Sequence, residues 1–146
     1  MDEPMCASYD TDVYGWASEQ AALLRSGRFS VADVENIAGE IESLGKSQRS
    51  ELVNRLVVLF LHLLKWQFKP RFRGTIWQLS IKEQRRRLEI HIRHNPSLKS
   101  DLAETVADAY EIAVIRAQRQ TGLDVTAFPL RCPYSFAQAM DEEFWP

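Results

Sequence analysis

The chain has 146 residues, of which 45% are hydrophobic and 26% charged, with 18 Lys and Arg against 20 Asp and Glu. A chain of about 150 residues buries roughly 70% of its unfolded surface, so its core needs neither a disulfide nor a metal. The net charge of −2 excludes a uniformly basic coat for nucleic acid. We expect a tail of residues 1–8 followed by one domain over residues 9–146.

The cysteine content and the hydropathy of the sequence indicate the cellular compartment in which we expect the protein. Cys6 and Cys132 are the only two cysteines, and no CxxC motif suggests zinc or redox chemistry. Both are expected to be free thiols in the reducing cytoplasm. The most apolar stretch, residues 52–68, is interrupted by charged residues and falls short of the ~20 apolar residues that span a bilayer. The acidic N-terminus does not resemble a signal peptide, so we expect no membrane partner.

Apolar residues recur at helical spacing along most of the chain, and strand-like alternation never persists for more than a few residues. The first predicted helix starts near Asp10 or Asp12, either of which can cap it, and ends at Gly27. The second predicted helix starts at Ser30, with Asp33 three positions on as in a capping box, and runs to residue 44.

Gly45 decides whether the following segment is a helix of its own. It either ends the second helix or is tolerated inside one very long helix, and we favour the break. Residues 46–69 then form a third helix that ends at Pro70. On a helical wheel Arg55, His62, Lys65 and Lys69 fall within about 40° of Glu51, and apolar residues fill more than half of the circle. So wide an apolar face predicts a helix at the centre of the domain.

Two further helices follow. The fourth is expected from Thr75 to about His94, and its apolar stripe consists of Trp77, Ile81, Leu88 and Ile92. The fifth is expected to begin at Asn95 and Pro96 and to end at Gly122, before one short helix near residues 134–141. The prediction is thus an all-α, single-domain bundle of about five main helices plus a short C-terminal helix, around a central helix near residues 46–69.

Charge is distributed in blocks along the sequence. Residues 1–44 carry nine acids and two bases, whereas residues 65–93 carry nine bases and two acids. Either the acidic and basic helices neutralise one another inside the molecule, which we favour, or the basic block forms a surface for a polyanion. Arg85 lies on the flank of the apolar stripe of the fourth helix, where an arginine typically pairs with a carboxylate. Glu40 and Glu42 are its expected partners.

The remaining bases of this block are the ones least suited to internal use. Together with the loop before the fourth helix, they predict a binding surface for a nucleic acid or for an acidic protein. Its residues are Lys69, Arg71, Arg73, Lys82 and Arg86. We favour such a binding module as the function of the chain.

An enzyme acting on an anionic substrate is the alternative. A cluster of carboxylate, imidazole and ammonium groups could perform acid–base chemistry if folding brought them together. Its candidate members are Glu40, Glu42, His62 and Lys65.

His91 and His94 have a spacing compatible with two metal ligands, but zinc requires further donors. We read them instead as solvated histidines near a helix C-terminus, and predict neither a metal nor a cofactor.

Several short motifs carry a resemblance to a known family. They are Tyr9-Asp10-Thr11-Asp12-Val13-Tyr14-Gly15-Trp16, Ile41-Glu42-Ser43-Leu44-Gly45, His62-Leu63-Leu64-Lys65-Trp66, Pro96-Ser97-Leu98, Phe128-Pro129 and Cys132-Pro133-Tyr134. In their combination and order, from Tyr9 to the C-terminus, the chain resembles the bacterial domain-of-unknown-function family numbered 29. The resemblance implies a helical, stand-alone bacterial protein with no established activity.

The resemblance also implies where a shared site would lie. The polar residues of these motifs are Asp10, Asp12, Glu42, His62 and Lys65. Where the family commonly has two acids before Ile41-Glu42, this chain has Gly39-Glu40. A site that depends on both carboxylates is therefore not expected here.

Overall fold

The computed structural model describes residues 7–146, and these contain helices and no strands. The α-helices are α1 (Val13–Arg25), α2 (Val34–Phe68), α3 (Thr75–His94), α4 (Leu102–Thr121) and α5 (Phe136–Met140). Short 3₁₀ helices occur at Phe29–Val31, Pro70–Phe72, Pro96–Asp101 and Val125–Ala127. The predicted all-α fold class is confirmed. Backbone contacts divide the chain into two compact units, residues 1–47 and 48–146.

The unit of residues 1–47, described from residue 7, is held by a small polar cluster. Asp12 caps α1 by accepting a hydrogen bond from the Gly15 amide. The Trp16 indole donates to the Asp33 carboxylate at 2.9 Å, and the Asp33 amide donates to Gln20 Oε1 at 2.7 Å. Trp16 and Gln20 are the buried residues of this unit, which therefore has a much smaller apolar core than the other one.

The start of α2 and the predicted break inside it both differ from expectation. Ser30 lies in a 3₁₀ helix, and α2 begins four residues later at Val34. The break at Gly45 was the wrong alternative, because α2 runs unbroken for 35 residues. A glycine inside a helix costs only about 1 kcal/mol relative to alanine, so the residues on either side of Gly45 can carry the helix through it.

In the unit of residues 48–146, the second half of α2 is the central element, as predicted. Eight of its residues are buried: Leu52, Leu56, Val57, Leu59, Phe60, Leu61, Leu63 and Leu64. α3 adds Ile81, Leu88 and Ile92 of its predicted stripe to the core, and α4 adds Ala109, Ala113 and Ala117. The alanines permit a close approach of α4 because they place almost no side-chain volume at the contact.

The ends of the later helices correct one prediction and confirm another. Pro96 does not open α4, since residues Pro96–Asp101 form a 3₁₀ helix and α4 begins at Leu102. Gly122 ends α4 with a φ of 74°, a left-handed conformation that glycine adopts without strain. Ser135 caps the short helix α5 through a reciprocal capping box with Gln138.

Candidate functional site

A pocket of about 450 Å³ opens where the end of α2, the start of α3 and the end of α4 meet. We call it the lysine pocket, and its lining residues are Lys65, Lys69, Phe72, Trp77, Gln120 and Thr121. Pro70 ends α2 and begins the tight 3₁₀ turn that carries the chain round to α3. This turn is the reason why cations at the end of one helix face aromatic rings of the next segment.

Lys65 makes two contacts within the lysine pocket. Its Nζ donates a hydrogen bond to Gln120 Oε1 at 2.8 Å and lies 5.0 Å from the centre of the Trp77 ring. Partial burial lowers the pKa of Lys65. An ammonium group has three N–H donors, so the bond to Gln120 leaves others for an anionic ligand.

The mouth of the pocket is basic and aromatic. The Nζ of Lys69 lies 5.8 Å from the centre of the Phe72 ring, and 65% of the Phe72 side chain is exposed. Arg71, also exposed, forms no ion pair with any residue of the described part of the chain. Positive charge and an open aromatic face thus occur together at one place on the surface.

Two of the five predicted binding residues, Arg73 and Arg86, interact with other groups of the protein. Arg73 donates to the carbonyls of Trp66, at 2.7 Å, and Pro146, at 3.1 Å, and its guanidinium stacks on the Trp66 ring. Arg86 forms an ion pair with Glu89, three residues further along α3. Lys69 lines the lysine pocket and Arg71 is exposed in the neighbouring Pro70–Phe72 turn, whereas Lys82 lines a separate groove of about 380 Å³ with Arg85 and Trp145.

Arg85 is buried, and its partners differ from the expected Glu40 and Glu42. Its guanidinium donates to the carbonyls of Ala139 and Phe144, both at 2.7 Å. Burial lowers the pKa of Arg85, and the nearby carboxylates of Asp141 and Glu142 act in the opposite direction. The side chain therefore anchors the C-terminal segment to α3.

Comparison with known proteins identifies the family of the chain. A family model described as domain of unknown function DUF29 matches residues 8–145. The chain belongs to the DUF29 family. No curated protein and no solved structure matches it. The match confirms the resemblance carried by the sequence motifs. Because the family is described only as a domain of unknown function, it assigns no activity to the lysine pocket.

The polar residues of the DUF29 motifs do not gather at one point along α2. Glu40 and Glu42 lie near its start, and His62 and Lys65 lie near its end. Glu40 and Glu42 belong to the unit of residues 1–47, whereas His62 and Lys65 belong to the unit of residues 48–146. The Tyr9 hydroxyl donates to Glu40, and Gly39 lies on an open part of the helix surface. The predicted acid–base cluster is thus divided between the two ends of α2.

His62 lies one helical turn before Lys65, on the same side of α2. Its Nδ1 donates to the Val58 carbonyl at 2.8 Å, which fixes the neutral tautomer with a lone pair on Nε2. Burial is the main cause that lowers the pKa of His62, and the charge of Lys65 lowers it further. His62 is therefore uncharged at neutral pH, and its Nε2 can act as a hydrogen-bond acceptor.

The histidines of α3 do not form the solvated pair that was expected. His91 is buried, and its Nε2 donates to the Gln48 carbonyl at 2.9 Å, while its Nδ1 lies 3.8 Å from Glu51. His94 is exposed. Within residues 7–146, no group of three or more candidate ligands could hold a metal ion. Nor is any helix of these residues both long and apolar enough to cross a membrane.

Four residues of the lysine pocket were not among the predicted site residues: Phe72, Trp77, Gln120 and Thr121. Gln120 and Thr121 belong to the end of α4, which lies about fifty residues away in sequence, and no local pattern connects them with Lys65. Trp77 was predicted only as part of the apolar stripe of α3. It is half-buried, so one part of its ring contacts protein while another lines the pocket.

Cys132 is a free thiol, as expected, and Cys6 lies outside the described residues.

Proposed function

We propose that this protein is a binding module that holds single-stranded nucleic acid at the lysine pocket. Lys65, Lys69 and Arg71 contact the phosphates, and a base stacks against Phe72. One observation carries the proposal: two lysines that form no ion pair with residues 7–146, and an exposed aromatic ring, line the same open pocket.

Single strands are bound by this combination of groups. Basic residues track the phosphate backbone, while aromatic rings stack with bases that no complementary strand conceals. The sequence around the pocket mouth is suited to this task, because residues 69–82 contain four bases and no acid. A duplex presents phosphates but no free base faces, so Phe72 would contribute little to its binding.

Fluorescence anisotropy of a labelled oligothymidine, titrated with the full chain at low salt, tests the proposal. Replacing Lys69 and Arg71 together with alanine should weaken binding about tenfold, because two phosphate contacts are lost. Phe72→Ala should weaken it by about fivefold or more, since stacking on one aromatic ring contributes about 1–3 kcal/mol. A duplex should bind less tightly than the single strand.

The matched control is the double variant Lys99→Ala with Arg131→Ala. It removes the same charge from two exposed positions outside the lysine pocket. Its affinity should stay within about twofold of the wild-type value. Equal weakening by the two double variants would mean that net charge alone attracts the oligonucleotide, and no binding at low salt would leave an acidic protein as the partner to consider. Either result contradicts the proposal.

A further inference from the structure

The groove of about 380 Å³ that contains Lys82 is lined by α3 and by the C-terminal segment of residues 141–146. It shares no lining residue with the lysine pocket. Its volume falls within the range of about 300–1,000 Å³ that small-molecule sites occupy. We call it the charged groove. Its lining includes Leu79, Lys82 and Arg85 from α3, and Glu142, Glu143 and Trp145 from the C-terminal segment.

The two segments that line the charged groove contribute charges of opposite sign. Lys82 and Arg85 are three residues apart and therefore lie on one side of α3. Glu142 and Glu143 belong to the C-terminal segment. Among residues 7–146, no ion pair of 4.0 Å or less joins either carboxylate to either cation. The groove thus holds cations and carboxylates that do not pair with one another.

Arg85 gives the charged groove a cation with a fixed position. It is only 4% exposed, and its Nε and Nη2 donate to the carbonyls of Ala139 and Phe144. These two bonds use two of the five N–H groups of a guanidinium. Nη1 donates to no residue of the range 7–146 and is not fully buried, so its N–H groups can reach a ligand in the groove.

The charged groove also has an apolar part. Leu79 is 57% exposed and Trp145 is 36% exposed, and both line the groove. The Trp145 indole donates to the Glu142 carbonyl at 3.1 Å, and its ring centre lies 5.2 Å from the Arg85 guanidinium. The ring is therefore held in place, and binding a ligand beside it costs little ordering of this side chain.

We propose that the charged groove binds a small zwitterion, namely a free amino acid with an apolar side chain. The carboxylate of the ligand accepts hydrogen bonds from Lys82 and Arg85, and its ammonium group donates to Glu142 and Glu143. The apolar side chain packs against Leu79 and Trp145.

A ligand with a single charge fits the charged groove less well. A simple anion is repelled by the two carboxylates and leaves them unpaired, and a simple cation is repelled by Lys82 and Arg85. Only a molecule that carries both charges pairs with both sets of groups. The charged groove and the lysine pocket are separate, so this proposal does not depend on the binding of nucleic acid.

L-Leucine, titrated into the isotopically labelled full chain and followed by nuclear magnetic resonance, tests the proposal. The indole N–H signal of Trp145, assigned with Trp145→Phe, should shift saturably with a Kd of about 1 mM or below. Isocaproate is leucine without its ammonium group, and isoamylamine is leucine without its carboxylate. Each should bind at least about fivefold more weakly than leucine, because one set of charged groups in the groove is left without a partner.

Variants of Lys82 connect the signal with the charged groove. Lys82 is exposed, so its replacement leaves the core intact. Lys82→Ala should weaken leucine binding about threefold to fivefold, as expected for the loss of an exposed ion pair. Lys82→Glu leaves one cation beside three carboxylates, and isoamylamine should then bind more tightly than leucine. The matched control is Lys99→Ala, an exposed lysine outside the groove, and it should bind leucine within about twofold of the wild type.

Three results would overturn the proposal. The first is the absence of a saturable shift of the Trp145 signal up to about 10 mM leucine, a concentration that detects even weak binding. The second is an affinity for isocaproate or isoamylamine that equals the affinity for leucine in the wild-type protein. The third is equal weakening of leucine binding by Lys82→Ala and Lys99→Ala, which would assign the effect to net charge.

Discussion

Arg85 shows how a permanently charged side chain is accommodated in the interior of this protein. It is only 4% exposed, yet its hydrogen bonds go to two backbone carbonyls rather than to a carboxylate. Its guanidinium also lies 5.2 Å from the centre of the Trp145 ring, which in turn contacts the ring of Trp66. Its position on the flank of the apolar stripe was predicted from helical spacing. Its partners were not, because nothing in the sequence indicates where the carbonyls of a C-terminal loop will lie.

Arg85→Ala should lower the free energy of unfolding by about 2–4 kcal/mol, because two carbonyls lose a charged donor and the C-terminal segment loses its anchor. Urea denaturation followed by tryptophan fluorescence measures the change. Arg87→Ala is the control, since Arg87 is exposed and forms only a long ion pair with Glu83, and its effect should stay below about 0.5 kcal/mol. Similar small effects at both positions would contradict the anchoring role.

His62 makes a second residue-level prediction, on pH. Burial lowers its pKa in the folded state below the value of about 6.5 expected in the unfolded chain. The unfolded state therefore takes up the proton first, and the contribution of His62 to stability is present above about pH 6.5 and is lost as the pH falls. His62→Gln should reduce the loss of unfolding free energy between about pH 7.5 and 5.5. An unchanged pH dependence would show that other groups cause it.

At the scale of elements, α2 illustrates how far local sequence patterns determine the helices. The wide apolar arc of residues 46–69 identified the central helix. The predicted break at Gly45 failed because a helix end requires a left-handed or capped conformation, and propensity alone does not reveal which glycine adopts it. Gly122 does adopt it, whereas Gly45 has helical geometry.

Gly45→Ala should therefore raise the free energy of unfolding by about 0.5–1 kcal/mol, because alanine is the better helix former and nothing lies within 4 Å of the added Cβ. Gly122→Ala should lower it by about 1–2 kcal/mol, since its φ of 74° is strained for alanine. Far-ultraviolet circular dichroism during urea denaturation measures both. A loss of stability at Gly45 would place a helix end there and contradict a continuous α2.

For the whole molecule, the sequence showed the division of charge along the chain, but it did not show with which groups the individual basic side chains interact. Arg86 and Arg87 pair with acids on their own helix, and Arg73 and Arg85 hold the C-terminal segment. The basic block therefore presents fewer free cations than its composition suggests. The lysines of the lysine pocket lie beside aromatic rings and beside Gln120, which is distant from them in sequence. Only folding brings these residues together.

The salt dependence of oligothymidine binding tests most directly whether these particular cations bind phosphate. Three contacts, from Lys65, Lys69 and Arg71, predict a slope of log Kobs against log salt of about −2 for a single strand. The variant lacking Lys69 and Arg71 should give a slope of about −0.7, and the variant lacking Lys99 and Arg131 should keep the wild-type slope. A slope that stays near −2 without Lys69 and Arg71 would contradict the account.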